Sequence, residues 1–337
     1  MKHCLTLLLA MLSLSVLAQG IEFVAVTDKQ SSYSGNPHNF EALSIYWWPD
    51  TSKPDGKPYI EKDGQWNPEY KQYDLPRLQA LVENLKKTAN DFLATGSSAS
   101  YNAFCRQLDI WFLNKKTRML PNFNYCQFVP GRNNGVGFPG GIIDAYNFIY
   151  ILDKIDRVDA RKSIGKSRKR KLKAWFRDFT TWLIESPQGQ QEVKGSNNHG
   201  TAYDIILYRF ASFIGEPEIC RAVAERFARM RVNPQIQADG SQPQELKRTR
   251  AFFYSAYNLE HMLDFCELMQ QQGINYIDGD GSRIKDALIY LYPYLNHQKD
   301  FKYQEIGSWK EGENILRTQI RRAQALSKDS RIKNLKL

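Results

Sequence analysis

The chain has 337 residues, 42% of them hydrophobic and 24% charged, and its formal net charge is +10 at pH 7. This length is ample for one large hydrophobic core or two smaller ones, so stabilisation by disulfide bonds is not required. The five histidines are scattered and no Cys-x-x-Cys motif occurs, so the composition predicts no metal site and no metal cofactor. The positive charge suits a polyanionic partner.

The first eighteen residues have the pattern of a secretion signal. Lys2 precedes an apolar run over residues 5–17, and Val16 and Ala18 place small residues at positions −3 and −1 of a cleavage site. The run is too short to span a membrane as a helix, and no second run follows. We therefore expect a protein that is not inserted in a membrane after signal removal and is periplasmic or extracellular.

Residues 19–73 differ in composition from the rest of the chain. They are rich in Pro, Gly, Asp, Trp and Tyr, and they show little periodicity. Because long irregular segments in compact proteins are often functional, we interpret this segment as a lid or rim over one end of the helical domain.

From residue 74 onward, apolar residues recur at helical spacing and strand signals are nearly absent. Asp74 and Pro76 predict the start of the first helix, and Gly96 predicts its end. At least eight amphipathic helices with Gly-, Pro- and Asn-rich connections predict an all-α domain over residues 74–337. The other helices are predicted near residues 101–112, 142–155, 175–183, 199–213, 217–230, 252–269 and 284–295.

Two basic stretches stand out. The first, Arg161–Lys171, would be typical of a nuclear address in a cytosolic protein, but a predicted secretion signal precedes it. We interpret it as a solvated helix start or loop and expect no nucleic-acid partner. The second, Arg317–Leu337, is compatible with a helix and either caps the domain or forms a loose tail.

Gly135–Gly140 fits the Gly-x-Gly-x-x-Gly pattern of dinucleotide-binding loops. It follows no predicted strand, Pro139 lies inside it, and no βαβ unit surrounds it. We therefore interpret it as a flexible loop that leads into the helix near residue 142.

The most specific signal combines Asn197-Asn198-His199-Gly200 with the stretch Glu245–Tyr254. Asn and Gly are turn and cap residues, so His199 is predicted at the point where a loop becomes a helix. One amide, one imidazole, one guanidinium and one phenol can together break a polyuronate by β-elimination. An amide and a guanidinium can bind the uronate carboxylate, while His or Tyr can give or take protons.

These stretches resemble the alginate lyase family of polysaccharide lyases. The resemblance includes residues 46–50, 54–60, 63–69 and 117–127, as well as Gln242–Leu246, and it extends in order from about residue 37 to about residue 265. Periodicity alone leaves a bundle, a solenoid or a toroid open. The resemblance implies an α/α toroid, a polyuronate substrate such as alginate, most directly polymannuronate, and no required metal.

The family's catalytic set carries over to four residues. Asn198 and His199 match its Asn-His pair, Arg248 matches its Arg, and Tyr254 matches its downstream Tyr. Two other spacings stay open, Arg250 with Tyr257 and Arg248 with Ser255. Phe253 departs from the pattern, because many members have His before the Tyr.

The resemblance also gives roles to these residues. Arg248 and Asn198 hold the carboxylate, and Tyr254 donates a proton to O4. In mannuronate, H5 and O4 lie on one face of the ring, so Tyr254 could also be the base. In guluronate or glucuronate they lie on opposite faces, so His199 becomes the natural base. A tyrosine with an ordinary pKa of ~10 is a poor base at neutral pH, so nearby cations would have to lower that pKa.

Substrate-binding candidates come from the irregular segment, the loop before residue 135 and the His199 helix. Aromatic faces can stack on sugar rings, although these aromatics could instead pin the segment to the helices. Since Trp47 and Trp48 are adjacent, at most one is expected to face the substrate. The candidates are Trp47, Trp48, Tyr59, Trp66, Asn122, Asn124, Gln127 and Tyr203.

Four alternatives remain open at this stage. The enzyme could act on another polyuronate, such as glucuronan or a glycosaminoglycan. A glycoside hydrolase would need two opposed carboxylates, and no such pair can be justified. A polysaccharide-binding protein could keep the cleft without turnover. A nucleic-acid binder is supported only by the net charge.

Overall fold

The computed structural model describes residues 22–296 and 300–337. The predicted secretion signal, residues 1–18, lies outside the described residues. The chain forms two compact units. Among the described residues, unit 1 contains residues 22–45, 51–59 and 68–185, and unit 2 contains residues 46–50, 60–67 and the rest from residue 186. Both units are mainly helical, which confirms the predicted all-α class.

The described part of unit 1 is built on four α-helices: α1 (Leu75–Thr95), α2 (Ser98–Leu108), α3 (Asn147–Arg161) and α4 (Lys166–Glu185). Pro76 lies in the first turn of α1, and Gly96 ends the helix in the left-handed conformation, with φ 75°. The helix α1 packs on α2 and α3. These ends match the sequence prediction, because Pro fits a first turn and Gly adopts positive φ without steric cost.

Non-α segments complete unit 1. A π-helix, Asp109–Leu113, follows α2, and 3₁₀ turns occupy Pro68–Gln72, Asn133–Gly135 and Pro139–Tyr146. The strands β1 (Glu41–Leu43) and β4 (Tyr125–Phe128) pair in parallel. The helix predicted from residue 142 begins later, at Asn147, because the preceding Pro139-Gly140-Gly141 favours the tighter 3₁₀ turn.

A buried ion cluster fixes the irregular segment within unit 1. The Lys29 ammonium lies 2.5 Å from Asp74 and 3.4 Å from Glu41. Glu41 also accepts hydrogen bonds from the hydroxyls of Ser32 and Ser34 at 2.7 and 2.6 Å. These carboxylates are therefore paired as buried charges must be, and they tie residues 29–41 to the start of α1.

Unit 2 contains nine of the described α-helices. The longest, α10 (Ala251–Gln271), packs on α6 (Asn198–Ile214) and α12 (Trp309–Leu326). The second basic stretch is therefore not a loose tail: its residues Ile320, Ala323 and Ile332 are fully buried. The others are α5 (Pro187–Glu192), α7 (Pro217–Phe227), α8 (Asn233–Gln235), α9 (Pro243–Leu246), α11 (Arg283–Leu291) and α13 (Ser330–Lys333).

A short hairpin from the irregular segment belongs to unit 2. The strands β2 (Trp47–Trp48) and β3 (Ile60–Glu61) pair antiparallel, with Trp47 opposite Glu61. In the described part of the chain, no helix is long and apolar enough to cross a membrane. The cysteines at positions 105, 126, 220 and 266 are free thiols.

Candidate active site

The Asn-Asn-His-Gly motif begins α6, as the sequence predicts. The Asn197 side chain caps the helix by accepting a hydrogen bond from the His199 N–H at 3.3 Å. Gly200 is required by packing, because a Cβ there would lie 2.0 Å from the carbonyl oxygen of Gly195. The motif therefore allows a close turn that presents His199 at the helix start.

His199 is held by a carboxylate that the sequence reading did not identify. Its Nδ1 lies 2.9 Å from Glu192 Oε1 at the end of α5, and 30% of the His199 side chain is exposed. Burial acts to lower the pKa of His199, but the hydrogen bond and charge of Glu192 outweigh it and the net pKa is raised. With Nδ1 donating to Glu192, Nε2 is the nitrogen left to accept a proton.

Asn198 is buried and bound to Glu245. Its backbone N–H donates to Glu245 Oε1 at 2.7 Å, and its side-chain amide donates to Oε2 at 2.9 Å. Burial raises the pKa of Glu245, although the hydrogen bonds from Asn198 and the charge of Arg248 oppose that rise. Glu245 therefore connects the start of α6 with the loop that carries Arg248.

Arg231 supports the turn between Glu192 and Asn198. Its guanidinium donates to the carbonyl oxygens of Val193 at 2.8 Å and Gly195 at 2.7 Å. Its Nε donates to Asp204 Oδ2 at 2.7 Å, and both side chains of this pair are fully buried. A buried arginine paired with a carboxylate and two carbonyls fixes the backbone on which His199 and its partner lie.

Arg248 and Tyr254 lie together. The Arg248 guanidinium lies 3.9 Å from the centre of the Tyr254 ring, a cation–π contact. Arg248 also forms a two-point ion pair with Asp63, with distances of 2.6 and 3.1 Å. Tyr46 hydrogen-bonds the Tyr254 hydroxyl. Two residues of the irregular segment thus hold this pair in place.

Tyr254 lies in the first turn of α10 and is nearly buried, with 6% of its surface exposed. Burial and then Tyr46 raise its pKa well above the ordinary value, and the charge of Arg248 opposes this without reversing it. The expected condition for Tyr254 as a base, a pKa lowered by cations, is therefore not met here. In this state Tyr254 keeps its proton.

The residues after Arg248 are bound to a C-terminal strap, residues 304–311. Glu305 Oε2 accepts hydrogen bonds from the N–H groups of Phe252 and Phe253 at 2.9 and 3.1 Å, which caps α10. Arg250 is buried between Glu305 at 3.6 Å and Glu311 at 2.5 Å. Arg250, the arginine of the alternative spacing with Tyr257, is therefore bound by the strap. Its alternative partner Tyr257 stacks on Phe253 with a centroid distance of 5.8 Å.

The four catalytic candidates all lie in unit 2. His199 interacts electrostatically with Glu245 and Arg248, and Arg248 interacts with Tyr254. The structure thus brings together an imidazole, a guanidinium and a phenol from two segments about fifty residues apart in sequence. Ser255, the other alternative partner of Arg248, is buried and donates its hydroxyl to Ala251 O at 2.8 Å.

Four substrate-binding candidates lie in unit 1. Tyr59 donates its hydroxyl to Glu69 at 2.7 Å. Asn122 Oδ1 accepts from the Asn124 N–H at 3.2 Å, and Asn124 Oδ1 accepts from Trp182 Nε1 at 2.8 Å. These three side chains thus all have protein partners.

Gln127, the fourth candidate in unit 1, has an unusual backbone. Its φ is 50°, in the left-handed region that a non-glycine residue seldom adopts. Its amide donates to Asp144 Oδ1 at 3.3 Å. Gly137 packs against this strand so closely that a Cβ would lie 2.2 Å from Cys126 O. Strain of this kind persists where surrounding packing imposes it, and it clusters at binding sites.

The other four binding candidates lie in unit 2. Trp47 and Trp48 are both half-buried, and the indole N–H of Trp48 donates to Gln65 O at 2.9 Å. Trp66 is the most open of the four, with 45% of its surface exposed. Tyr203 is buried in α6, and burial raises its pKa to about 12.

Sequence reasoning missed the carboxylates and the phenol that position the candidates. Glu245 and Asp63 occur inside the motifs that carry the family resemblance, so their positions could have been read as partners of Asn198 and Arg248. Tyr46 opens the first of these motifs, residues 46–50. Glu192 has no such signal, because only the fold brings the end of α5 to His199.

Comparison with known proteins gives a consistent result. A family model described as Alginate lyase matches residues 24–301. A crystal structure of an alginate lyase from Bacteroides ovatus is 33% identical, with a TM-score of 0.90 over 96% of this chain and 88% of that chain. A structure of alginate lyase A1-III, in a substituted form complexed with a tetrasaccharide, has a TM-score of 0.60 over 96% of this chain and 88% of that chain. At 13% sequence identity, it shows similarity of fold alone. No curated protein matches.

Proposed function

This chain belongs to the alginate lyase family and is a polysaccharide lyase, and from that premise we propose that it cleaves alginate by metal-independent β-elimination. The products are chains with a 4,5-unsaturated uronate end. The observation that carries the proposal is the grouping of His199, Arg248 and Tyr254 with their partners Glu192, Asp63 and Tyr46.

Arg248 supplies the positive charge that the uronate carboxylate requires. Asp63 occupies Nε and Nη2, so Nη1 keeps donors for a substrate oxygen. Asn198 gives one amide hydrogen to Glu245, and we assign its other amide hydrogen to the substrate. Charge builds up on this carboxylate as H5 leaves, so fixed donors here stabilise the transition state.

Tyr254 is the proton donor to O4. Its raised pKa keeps the phenol protonated at neutral pH, which an acid requires and a base does not. Arg248 lies against the face of the same ring. The residue that binds the carboxylate and the residue that protonates the leaving oxygen are therefore in direct contact.

The base depends on the sugar. In guluronate, H5 and O4 lie on opposite faces, and His199 with Nε2 open takes H5 while Tyr254 protonates O4. In mannuronate both lie on one face, so Tyr254 serves both positions and must first lose its proton. The protonated state of Tyr254 supports the first arrangement, while the sequence resemblance points to polymannuronate. Comparing the two polymers in one assay separates these arrangements.

The test is the ultraviolet absorbance of the purified protein with polymannuronate, polyguluronate and glucuronan in turn. β-Elimination creates a C4=C5 double bond conjugated with the carboxylate, so absorbance rises, whereas hydrolysis gives reducing ends without such a rise. We expect the rise to disappear in Tyr254→Phe and to persist in the matched control Tyr257→Phe. If absorbance stays flat on both alginate polymers, the alginate proposal is wrong. A rise on glucuronan alone would identify a lyase for another polyuronate.

Export is also part of the proposal. The predicted signal over residues 1–18 implies a periplasmic or extracellular enzyme that meets its polymer outside the cytoplasm. Fractionation of expressing cells, with N-terminal sequencing of the product, checks this. A mature protein beginning near Gln19 supports export, and an intact N-terminus in the cytoplasm contradicts it.

A further inference from the structure

Unit 1 has a groove that shares no residue with the candidate active site. Two adjoining concavities, of about 400 and 290 Å³, have Leu113 and Lys171 in common. One lies along the end of the π-helix and the start of α4, and the other lies beside the loop after residue 114. We call this surface the basic groove and define it by Leu113, Lys115, Arg118, Arg168, Lys171 and Asp178.

The charge of the basic groove is unbalanced. Lys115, Arg118 and Lys171 line it, and within the described ranges none of the three has an ion pair. Arg168 binds the Asp109 carboxylate through Nε at 2.8 Å and Nη2 at 2.9 Å, so that pair is neutral. Asp178 is the one other carboxylate of the lining, which leaves an excess of positive charge.

The walls of the basic groove are fixed. Trp175 lines the groove and is nearly buried, and its indole N–H donates to Met119 O at 2.8 Å. The Thr117 hydroxyl donates to Ile110 O at 2.8 Å, and the Met119 N–H donates to Trp111 O at 2.8 Å. The backbone of the loop that carries two of the cations is therefore attached to the π-helix.

From this arrangement we propose that the basic groove is a second binding site for the anionic polymer, separate from the catalytic residues. The ligand is a chain with regularly spaced carboxylates, and its identity as a polyuronate rests on the proposed function. The two concavities adjoin through Leu113 and Lys171, so one extended chain can contact the cations of both. A positively charged surface raises the local concentration of such a chain.

This site explains the first basic stretch better than a solvated helix start alone. In that stretch Arg168 and Lys171 line the groove, and Lys115 and Arg118 come from a loop about fifty residues earlier. Two separate segments therefore place cations on one concave surface. A helix start that served only for solubility would not require the second segment.

The experiment uses the full chain with Lys115, Arg118 and Lys171 all changed to Ala. The control variant changes three cations outside the groove to Ala: Lys87, Arg157 and Lys328. Because each variant loses three positive charges, the two variants have the same net charge. We expect the groove variant to have a KM for polymannuronate raised by about fivefold to tenfold at low salt, with kcat unchanged. Turnover of a trisaccharide should not change. At high salt the difference in KM between the two variants should disappear, because the Debye length falls to about 3 Å at 1 M salt and the charges are then screened.

Binding is measured separately by retardation in gels that contain polymannuronate, with dextran as the neutral polymer. In this binding experiment every variant also carries Tyr254→Phe. The experiment therefore measures polymer binding by the groove even if no polyuronate is cleaved and the proposed function is wrong. Loss of retardation in the groove variant alone supports the proposal. Equal behaviour of groove and control variants overturns it. Equal retardation by DNA, or equal binding to anionic vesicles, overturns the assignment to a polyuronate.

Discussion

Asn198 and His199 take their partners from the helical part of unit 2, whereas Arg248 and Tyr254 take theirs from the irregular N-terminal segment. Glu192 and Glu245 hold the first pair. Asp63 and Tyr46 hold the second pair, across about two hundred residues of sequence. We call these the histidine side and the tyrosine side. The histidine side is tuned by buried carboxylates, and the tyrosine side depends on a segment with little regular structure.

The difference shows what the irregular segment does in unit 2. It contributes no catalytic candidate of its own, yet Asp63 orients the guanidinium and Tyr46 binds the phenol. Asp63 also accepts from the Thr249 N–H at 3.1 Å and the Thr249 hydroxyl at 2.9 Å. A carboxylate with this many donors is a fixed anchor, and these contacts hold its pKa below the ordinary value despite burial.

The largest effect should come from Tyr254→Phe on the tyrosine side. Removing the proton donor should lower kcat on alginate by on the order of 10²–10⁴, with little change in stability. Absorbance assays with saturating polymer measure this, and thermal unfolding checks the fold. If Tyr257→Phe lost as much activity and Tyr254→Phe did not, the alternative spacing with Arg250 would be correct.

Arg248→Lys should come next. A lysine keeps the charge but cannot form the two-point pair with Asp63 and still reach a carboxylate, so kcat/KM should fall by about a hundredfold or more. Lys247→Ala, which removes an exposed neighbouring cation, is the matched control and should have little effect. Similar losses in the two variants would mean that net charge alone matters at this position.

On the histidine side, Glu192→Gln should change the pH dependence. Glu192 raises the pKa of His199, and a base acts only when it is neutral, so activity is lost as pH falls through this raised pKa. With Gln the pKa should fall, and the acidic limb of kcat/KM should move to lower pH. The measurement is a pH profile on polyguluronate. An unmoved limb would show that His199 is not the base.

The smallest effect should come from Tyr46→Phe. The change removes the hydrogen bond to Tyr254, a loss of roughly 1 kcal/mol, so kcat should drop about fivefold. Tyr33→Phe, an exposed tyrosine of unit 1 that is stacked on Phe128, is a suitable control. A drop as large as that of Tyr254→Phe would instead give Tyr46 a direct part in proton transfer.

Much of the fold could be predicted because it follows local rules. The start of α1 at Pro76 and its end at Gly96, and the loop-to-helix turn at Asn197, all depend on neighbouring residues. Of the helix Trp309–Leu326, only the part from Arg317 onward lies in the stretch that the sequence predicts to be compatible with a helix. The apolar face of this helix packs on α10, which is distant in sequence. Local sequence signals therefore could not predict that the helix belongs to the core of unit 2.

The candidate site also has a part that the sequence predicts and a part that only the structure shows. The residues Asn198, His199, Arg248 and Tyr254 could be read from motifs, and the structure brings His199, Arg248 and Tyr254 together. The protonation states of these residues could not be predicted from the sequence. The raised pKa of Tyr254 results from burial beside Tyr46, and that of His199 from Glu192. Both effects arise from distances that only the folded chain defines.

The C-terminal strap has a practical consequence for where this enzyme can be shortened. The family model ends at residue 301, and a chain cut there would retain every catalytic candidate. It would nevertheless lose Glu305 and Glu311, leaving the Arg250 charge buried without its carboxylates and the first N–H groups of α10 without an acceptor. The smallest active piece must therefore extend past residue 301, where the family model ends, through the strap and the helix α12 that packs on α10.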